Sequence, residues 1–388
     1  MNPKFVKFPR NVYLIAFSAF FADLGYQIVV GGLSPFLVIV LGAPVWFYGL
    51  IEALNYGIGS IFSYFGGRLA DRFGAKKVSI FGNSLIPLLS FTGFPASYIA
   101  SGLLFSGGWW ARNSRAASRR TMLVESTEEG NSRRAFGLLH GLDTAGGLIA
   151  AILLIFLFYL GYELRIIFLL SILPLIISTI LLVITKPTER KKREIKDSNI
   201  KPFRSAYLGI LAATALFGFS SYSIGFTILT GVQEFSSITR GLFVFPVFLA
   251  STSATGFLFS RIKAANEIRY LGITGYIVSA LGSFTIFLVV AFHLPPLIYF
   301  LGPSLLGLGV GAIETFEPTI VARVVSSEKT GTGLGTLSSF RSIGLFTGNL
   351  VMGVLYLFSS SYSYAYSTVV ALIGGITVLY FGRKYAKV

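Results

Sequence analysis

Residues 67–77 read Gly-Arg-Leu-Ala-Asp-Arg-Phe-Gly-Ala-Lys-Lys. Five of these eleven residues are charged (Arg68, Asp71, Arg72, Lys76 and Lys77), in a chain where only 12% of residues are Asp, Glu, Lys or Arg. Long apolar runs flank them, from about Trp46 to Gly66 and from about Val78 to Phe94. An apolar run near 20 residues is long enough to cross a bilayer, so charge this dense between two such runs lies at the water interface. Gly67 and Gly74 bracket the stretch and are expected to allow a tight turn and close helix approach.

The composition agrees with that placement. Hydrophobic residues make up 54% of the chain, and the charged share is about half the quarter expected of a soluble domain. There is no cysteine, which excludes disulfides and thiolate metal sites. The first apolar run is too long for a cleavable signal and lacks a small-residue cleavage site. A net charge of +16 could mark a nucleic-acid binder, but the basic residues fall in short loops between spans, which is the positive-inside pattern. Nucleic acid is therefore not an expected partner.

Outward from residues 67–77, six spans are expected in the first half: Val12–Leu33, Trp46–Gly66, Val78–Phe94, Tyr98–Leu123, Ala135–Leu160 and Ile166–Thr185. The segment from Lys186 to Arg204 holds eight basic and three acidic residues and reads as a cytoplasmic linker. Six more spans follow near 206–232, 240–260, 270–292, 297–322, 334–358 and 364–381. Every even-numbered connection and both termini are basic or mixed, so both termini are expected in the cytoplasm of a multi-pass cell-membrane protein. The expected organisation is an all-α membrane protein of twelve transmembrane helices in two pseudo-symmetric bundles, 1–185 and 205–388, joined by 186–204. Arg134-Ala-Phe-Gly137 and Thr332-Gly-Leu-Gly335 open equivalent spans at an offset of about 198 residues. Gly256-Phe-Leu-Phe-Ser-Arg261 is a degenerate copy of the 67–77 stretch, with Ser260 in place of the aspartate. Parallel six-span repeats of this kind form transporters with the substrate site between the halves.

The 67–77 stretch resembles the signature between spans two and three of the major facilitator superfamily, departing from it mainly at Ala75. The twelve spans, the basic linker, the degenerate copy and Pro187-Thr-Glu189 extend the resemblance over the whole chain. Residues 133–144 are similar to a subgroup of prokaryotic members. The resemblance implies the major facilitator fold, with spans one, four, seven and ten lining a cavity. It also implies contact between Asp71 and the start of span eleven, near Gly333, with nearby arginines such as Arg72 and those ending span four. Drug exporters of the superfamily carry Gly-x-x-x-Gly-Pro-x-x-Gly-Gly in span five. Here Gly137, Gly141, Leu142, Ala145 and Gly146 stand at those places without the proline, a slight argument for export.

Each charge placed in hydrocarbon needs an explanation. Asp23 lies about 16 Å into span one at 1.5 Å per residue, with Gln27 one turn on; it reads as a proton or substrate site, or as a structural hydrogen bond. Glu52, with Asn55 and Gly59, forms a polar face nearer the outside and reads as an outer gate or a structural pair. Arg112 and Arg115 follow Trp109 and Trp110. A buried arginine needs an anion from protein or substrate, while the tryptophans read as packing or interface anchors. Glu314 and Glu317 lie one turn apart and suit a proton carrier, or a structural ion pair. The 198-residue offset carries Arg119 to Glu317, Glu125 to Arg323 and Asp143 to Arg341, always with opposite sign. Arg119–Glu317 and Asp143–Arg341 are therefore expected to meet across the repeat axis as an inner gate that joins the halves when the site faces outward and breaks when it faces inward. Gly67, Asp71, Arg72 and Gly74 would form its latch. His140 is expected to be a packed structural residue, and Gly307/Gly311 and Gly344/Gly348 to be helix-packing positions.

The function expected is secondary active transport of a small organic solute by alternating access, proton-coupled, by a monomer, without cofactor and without enzymatic activity. The alternatives are a facilitative, uncoupled carrier of an anionic metabolite and a transporter-like receptor or scaffold. No Walker-type phosphate loop, zinc-binding His-Glu-x-x-His or nucleophile elbow occurs in the sequence.

Overall fold

The protein is described here by a computed structural model covering residues 8–128, 131–186, 204–259, 267–324 and 330–385, in which every regular element is helical. The first half contains α1 (Arg10–Pro35, continued by a π-helical turn, Phe36–Val40), α2 (Val45–Phe73), α3 (Ala75–Leu85, continued by a 3-10 helix, Ile86–Gly93), α4 (Tyr98–Glu125), α5 (Ser132–Tyr159), α6 (Leu164–Leu170) and α7 (Ile172–Val183). The second half contains α8 (Arg204–Ser220), α9 (Ile224–Phe235), α10 (Ile238–Leu242), α11 (Val244–Phe259), α12 (Glu267–Tyr270), a π-helical segment Leu271–Ile277, α13 (Val278–Phe292), a 3-10 helix Pro296–Phe300, α14 (Leu301–Val324), α15 (Thr330–Phe358) and α16 (Ser360–Tyr385).

Nine helical stretches among the described residues are long and apolar enough to cross a membrane. They start with Arg10–Val40 and end with Ser360–Tyr380. Outside that set lie α2, α3 with its 3-10 extension, and α4, where Glu52, Asn55, the 67–77 charges and the α4 arginines lower the mean hydropathy. Grouped by proximity, the chain forms two compact units. Unit 1 is Met1–Leu33 with Ile58–Arg193, and unit 2 is Ser34–Gly57 with Glu194–Val388. Residues 187–203, most of the expected linker, lie outside the described residues.

The 67–77 stretch is more helical than expected. Helix α2 runs past Gly66 through Asp71 to Phe73, and α3 begins at Ala75. The turn is Gly74 alone, at φ +92°, a conformation that a side chain strongly disfavours. Gly67 is not the close-approach glycine: the nearest atom to a Cβ built there is that of Ala117, at 3.8 Å. Gly66 has that role, since a Cβ there would collide with the Ser114 carbonyl of α4. The helix continues because Arg68, Leu69, Ala70 and Arg72 are good helix formers and nothing before Gly74 breaks it.

In unit 1 small residues and hydroxyls hold the helices together. Gly25 and Gly32 of α1 leave room for Leu175 and Phe168. Asn83 of α3 donates to Thr179 (2.8 Å) and Ser178 (3.2 Å) of α7. The Ser178 hydroxyl donates to the Ser18 carbonyl of α1 at 2.7 Å. A Cβ on Gly146 of α5 would collide with the Phe20 carbonyl of α1. Gly146→Val is therefore expected to push α5 off α1 and to cost about 1–3 kcal/mol, the usual range for overpacking. The check is the melting midpoint in detergent; an unchanged midpoint would refute the close contact.

In unit 2 the expected packing glycines do pack. Gly307 and Gly311 of α14 meet backbone of α11 at Phe248 and Thr252, and Gly344 of α15 meets α8 at Ala215 and Gly218. The unit's seventh span is broken at Ser221–Ser223, between α8 and α9. Ser223 has extended backbone and its hydroxyl caps α9. Around the break lies a cavity of about 60 Å³ whose lining is largely apolar, with Phe217, Phe248 and Leu306 beside hydroxyls such as those of Ser221, Tyr222 and Ser283.

Candidate functional site

Unit 1 gathers the charges of three helices. On α1, Asp23 is 7% exposed and accepts a hydrogen bond from the Tyr26 hydroxyl one turn on. On α4, Arg112 donates to that hydroxyl at 3.0 Å. Its guanidinium also lies over two rings, 4.8 Å from the Tyr26 centroid and 4.7 Å from that of Trp109. Gly59 of α2 makes room for the Asn113 side chain, which accepts from Arg112 at 3.3 Å. Arg115 is 1% exposed and donates to the Asn83 amide oxygen at 2.6 Å. Arg119 pairs with Asp143 of α5 at 3.1 Å. Asp143 also lies near Asp23, close enough for the two charges to act on each other.

Unit 2 holds an echo of this cluster. Glu317 of α14 has no exposure and accepts from both Tyr276 and Arg341 of α15. The π-helical segment Leu271–Ile277 carries Tyr276, and π-turns commonly occur where a helix has been re-aimed. Arg119–Asp143 and Glu317–Arg341 are each separated by 24 residues, with the signs exchanged.

That geometry corrects the expected cross-repeat pairs. Arg119 finds Asp143, and Glu317 finds Arg341, each inside its own unit. Consecutive antiparallel helices lie side by side, so the nearest opposite charge is one helix on. Arg323, the expected partner of Glu125, has a side chain outside the described residues. Glu314 and Glu317 also part company, for Glu314 is exposed while Glu317 is sealed in. His140, expected to be packed, is exposed.

The other expected residues fall as follows. Gln27 is half-buried, its chain 3.5 Å from a Cβ built on Gly147. Glu52 is 5% exposed and belongs to unit 2, beside Tyr48, Ser223 and Asn55. Tyr48 and Ser223 share a hydrogen bond of 2.7 Å. Asn55 is fully buried, and its amide atoms reach no partner at hydrogen-bond geometry. Asp71 and Arg72 are exposed, and Arg72 lies 5.3 Å from the Phe73 ring centroid. The side chains at the start of span eleven near Gly333 lie outside the described residues. Lys76 donates to the Thr185 carbonyl at 2.6 Å, tying the turn to the end of α7.

Sequence reasoning passed over Tyr26, Asn83, Trp109 and Tyr276. Tyr26 had a signal, three residues after Asp23 on the same helical face. Asn83 was the amide of an otherwise apolar helix. Trp109 was read as packing, which is true of Trp110, stacked on Phe62 at 5.5 Å.

A helical multi-pass protein with buried, networked charges in its spans has the build of a membrane transporter. The sequence profile of the Major Facilitator Superfamily matches residues 15–316, and the chain belongs to that family. It is 23% identical, over 96% of its length and 94% of the relative's, to MJ1317, an uncharacterised MFS-type transporter of Methanocaldococcus jannaschii. Solved structures with the same fold include a bacterial homologue of the human lysosomal transporter Spinster in an inward-facing, occupied conformation. Its TM-score is 0.73 at 14% identity, covering 96% of each chain. The nucleoside transporter NupG has a TM-score of 0.74 at 12% identity, covering 96% of this chain and 100% of its own. The peptide transporter POT has a TM-score of 0.75 at 14% identity, covering 98% and 95%. The protein is a membrane transporter of this superfamily and not an enzyme.

Proposed function

We propose that the chain moves a small organic solute by alternating access and draws on a proton gradient, with Asp23 and Asp143 as the proton-binding pair. The observation that supports this reading most is the buried network that links the two neighbouring carboxyls to the α4 arginines, Asp23 through Tyr26 to Arg112 and Asp143 to Arg119. A shared proton there is the arrangement in which one proton is readily gained or lost. The network around it, Tyr26, Arg112, Arg115 and Arg119, can answer each change of charge. Structures of POT transporters with sulfate and with 5-aminolevulinic acid support a small polar cargo for this fold.

The rest of the reading follows the family plan. Twelve spans place both termini on the cytoplasmic side of the cell membrane, and the working unit is a monomer. Asp71, with Arg72 and the turn at Gly74, acts as a latch at the inner ends of the spans. The two within-unit ion pairs brace the helices that move. Of the span-five glycines that favoured export, only Gly146 makes a close approach. Gly137 and Gly141 meet nothing within 4 Å, so this set reads as packing and carries no direction.

Uptake of a solute panel into proteoliposomes, with and without an imposed pH gradient, tests the proposal. At least one solute is expected to accumulate only when the gradient is present. Transport indifferent to the gradient would reject coupling in favour of an uncoupled carrier.

A further inference from the structure

The charges inside unit 1 do not balance. Arg112, Arg115 and Arg119 lie at i, i+3 and i+7, on one face of α4, and two carboxyls, Asp23 and Asp143, stand among them. A proton shared between them, as proposed above, would remove one of those negative charges. Hydrogen bonding shows the same surplus. Arg112 donates to a tyrosine hydroxyl and an amide oxygen, and Arg115 donates to an amide oxygen. Only Arg119 has an ion pair with a carboxylate. Among the described residues four guanidinium nitrogens of the cluster are buried without a partner, Nε of Arg112, of Arg115 and of Arg119 and Nη1 of Arg119, against one carboxylate oxygen, Oδ1 of Asp143. Leaving buried charged donors unmet is costly, and a cationic surplus of this kind is met by an anion. Arg112 and Asp143 are the partly exposed members of the cluster, so an entering solute meets them first. The Tyr26 and Trp109 rings hold the Arg112 guanidinium from the side, and a fork already fixed loses little freedom on binding.

We infer that the solute is a small oxyanion, a carboxylate or a phosphate-type group, whose acidic end is held by Arg112 with Arg119 behind it, beside the proton shared by Asp23 and Asp143. The inference rests on the proton-coupled reading above and adds the class of cargo. Anion and proton then favour each other's binding, because each offsets the charge the other brings. The groups facing the shared proton are Tyr26 on its own helix, Arg112, Arg115 and Arg119 from α4, and Asp143 from α5. Anion affinity should accordingly fall as pH rises and the shared proton leaves. Anion and proton cross together, and an acidic outside drives the anion inward.

The experiment uses the purified full chain. Melting midpoints are measured with benzoate, lactate, succinate, sulfate and inorganic phosphate against chloride at equal ionic strength. Benzamide and lactamide serve as uncharged counterparts. At least one oxyanion should raise the midpoint, more at low pH than at high, and its amide should not. Arg112→Gln should weaken that anion's binding at least about tenfold, as loss of a charged hydrogen-bonding group does. The anion–amide comparison on the unaltered chain holds even if the variant fails to fold. Equal stabilisation by the amides, or none by any of the five oxyanions, overturns the inference. In proteoliposomes with an internal pH dye, external addition of the binding anion should acidify the lumen. Proton entry with uncharged solutes alone overturns the anionic cargo and leaves proton coupling standing. Arg112-dependent anion binding without proton entry upholds the anion site and defeats the coupling.

Discussion

Arg341→Ala is expected to destabilise unit 2 by about 3–5 kcal/mol, the cost of removing one partner from a buried ion pair. Its partner Glu317 has a side chain with no exposure and, among the described residues, accepts hydrogen bonds from Tyr276 and Arg341. Without the guanidinium, the carboxylate keeps one neutral donor in a site closed to water. Replacing both partners, as in Arg341→Met with Glu317→Gln, should recover most of the stability, because the lone buried charge is then gone. Melting midpoints in detergent check all three variants. A midpoint unchanged in Arg341→Ala would show that the pair does not hold α14 to α15. In the matching pair of unit 1 the carboxylate is the more open partner, 21% exposed against none for Glu317, so Asp143→Asn should cost less.

Asp23→Asn is expected to abolish gradient-driven accumulation. A gradient of about one pH unit is worth 1.36 kcal/mol per proton and supports at most about tenfold accumulation at one proton per solute. In the variant the ratio should fall to one, while exchange of labelled for unlabelled solute continues. The amide keeps the shape of the carboxyl, and its oxygen can still accept from Tyr26. It cannot give up or take a proton in this range. Accumulation that persists in Asp23→Asn would move the coupling proton elsewhere, with the exposed Glu314 the next acid to replace.

Much of the architecture was legible from residue type alone. The apolar runs fixed helical spans, because unpaired backbone polar groups are intolerable in lipid. The charges of 67–77 had to mark a boundary. Pro44, Pro95 and Gly161 fall where spans end. Less legible was the end of α2, because only Gly74 breaks a stretch of good helix formers. The breaks in the sixth and seventh spans, at Ser171 and at Ser221–Ser223, were also invisible, since serine in a membrane helix signals packing as readily as interruption.

The sequence by itself determined that this is a helical membrane protein, and it placed charges within the expected spans: Asp23, Arg112, Arg115, Arg119, Asp143, Glu317 and Arg341. Hydropathy and the cost of a charge in lipid are properties of single residues and short runs, so they can be read along a line. Partnership cannot. Only the tertiary structure decided that Arg119 faces Asp143, that Glu317 faces Arg341, and that Asp23 and Asp143 lie near each other. Those choices depend on which faces of neighbouring helices the small residues bring together. Gly146, by closing α5 onto α1 at Phe20, draws together the helices that carry the two carboxyls.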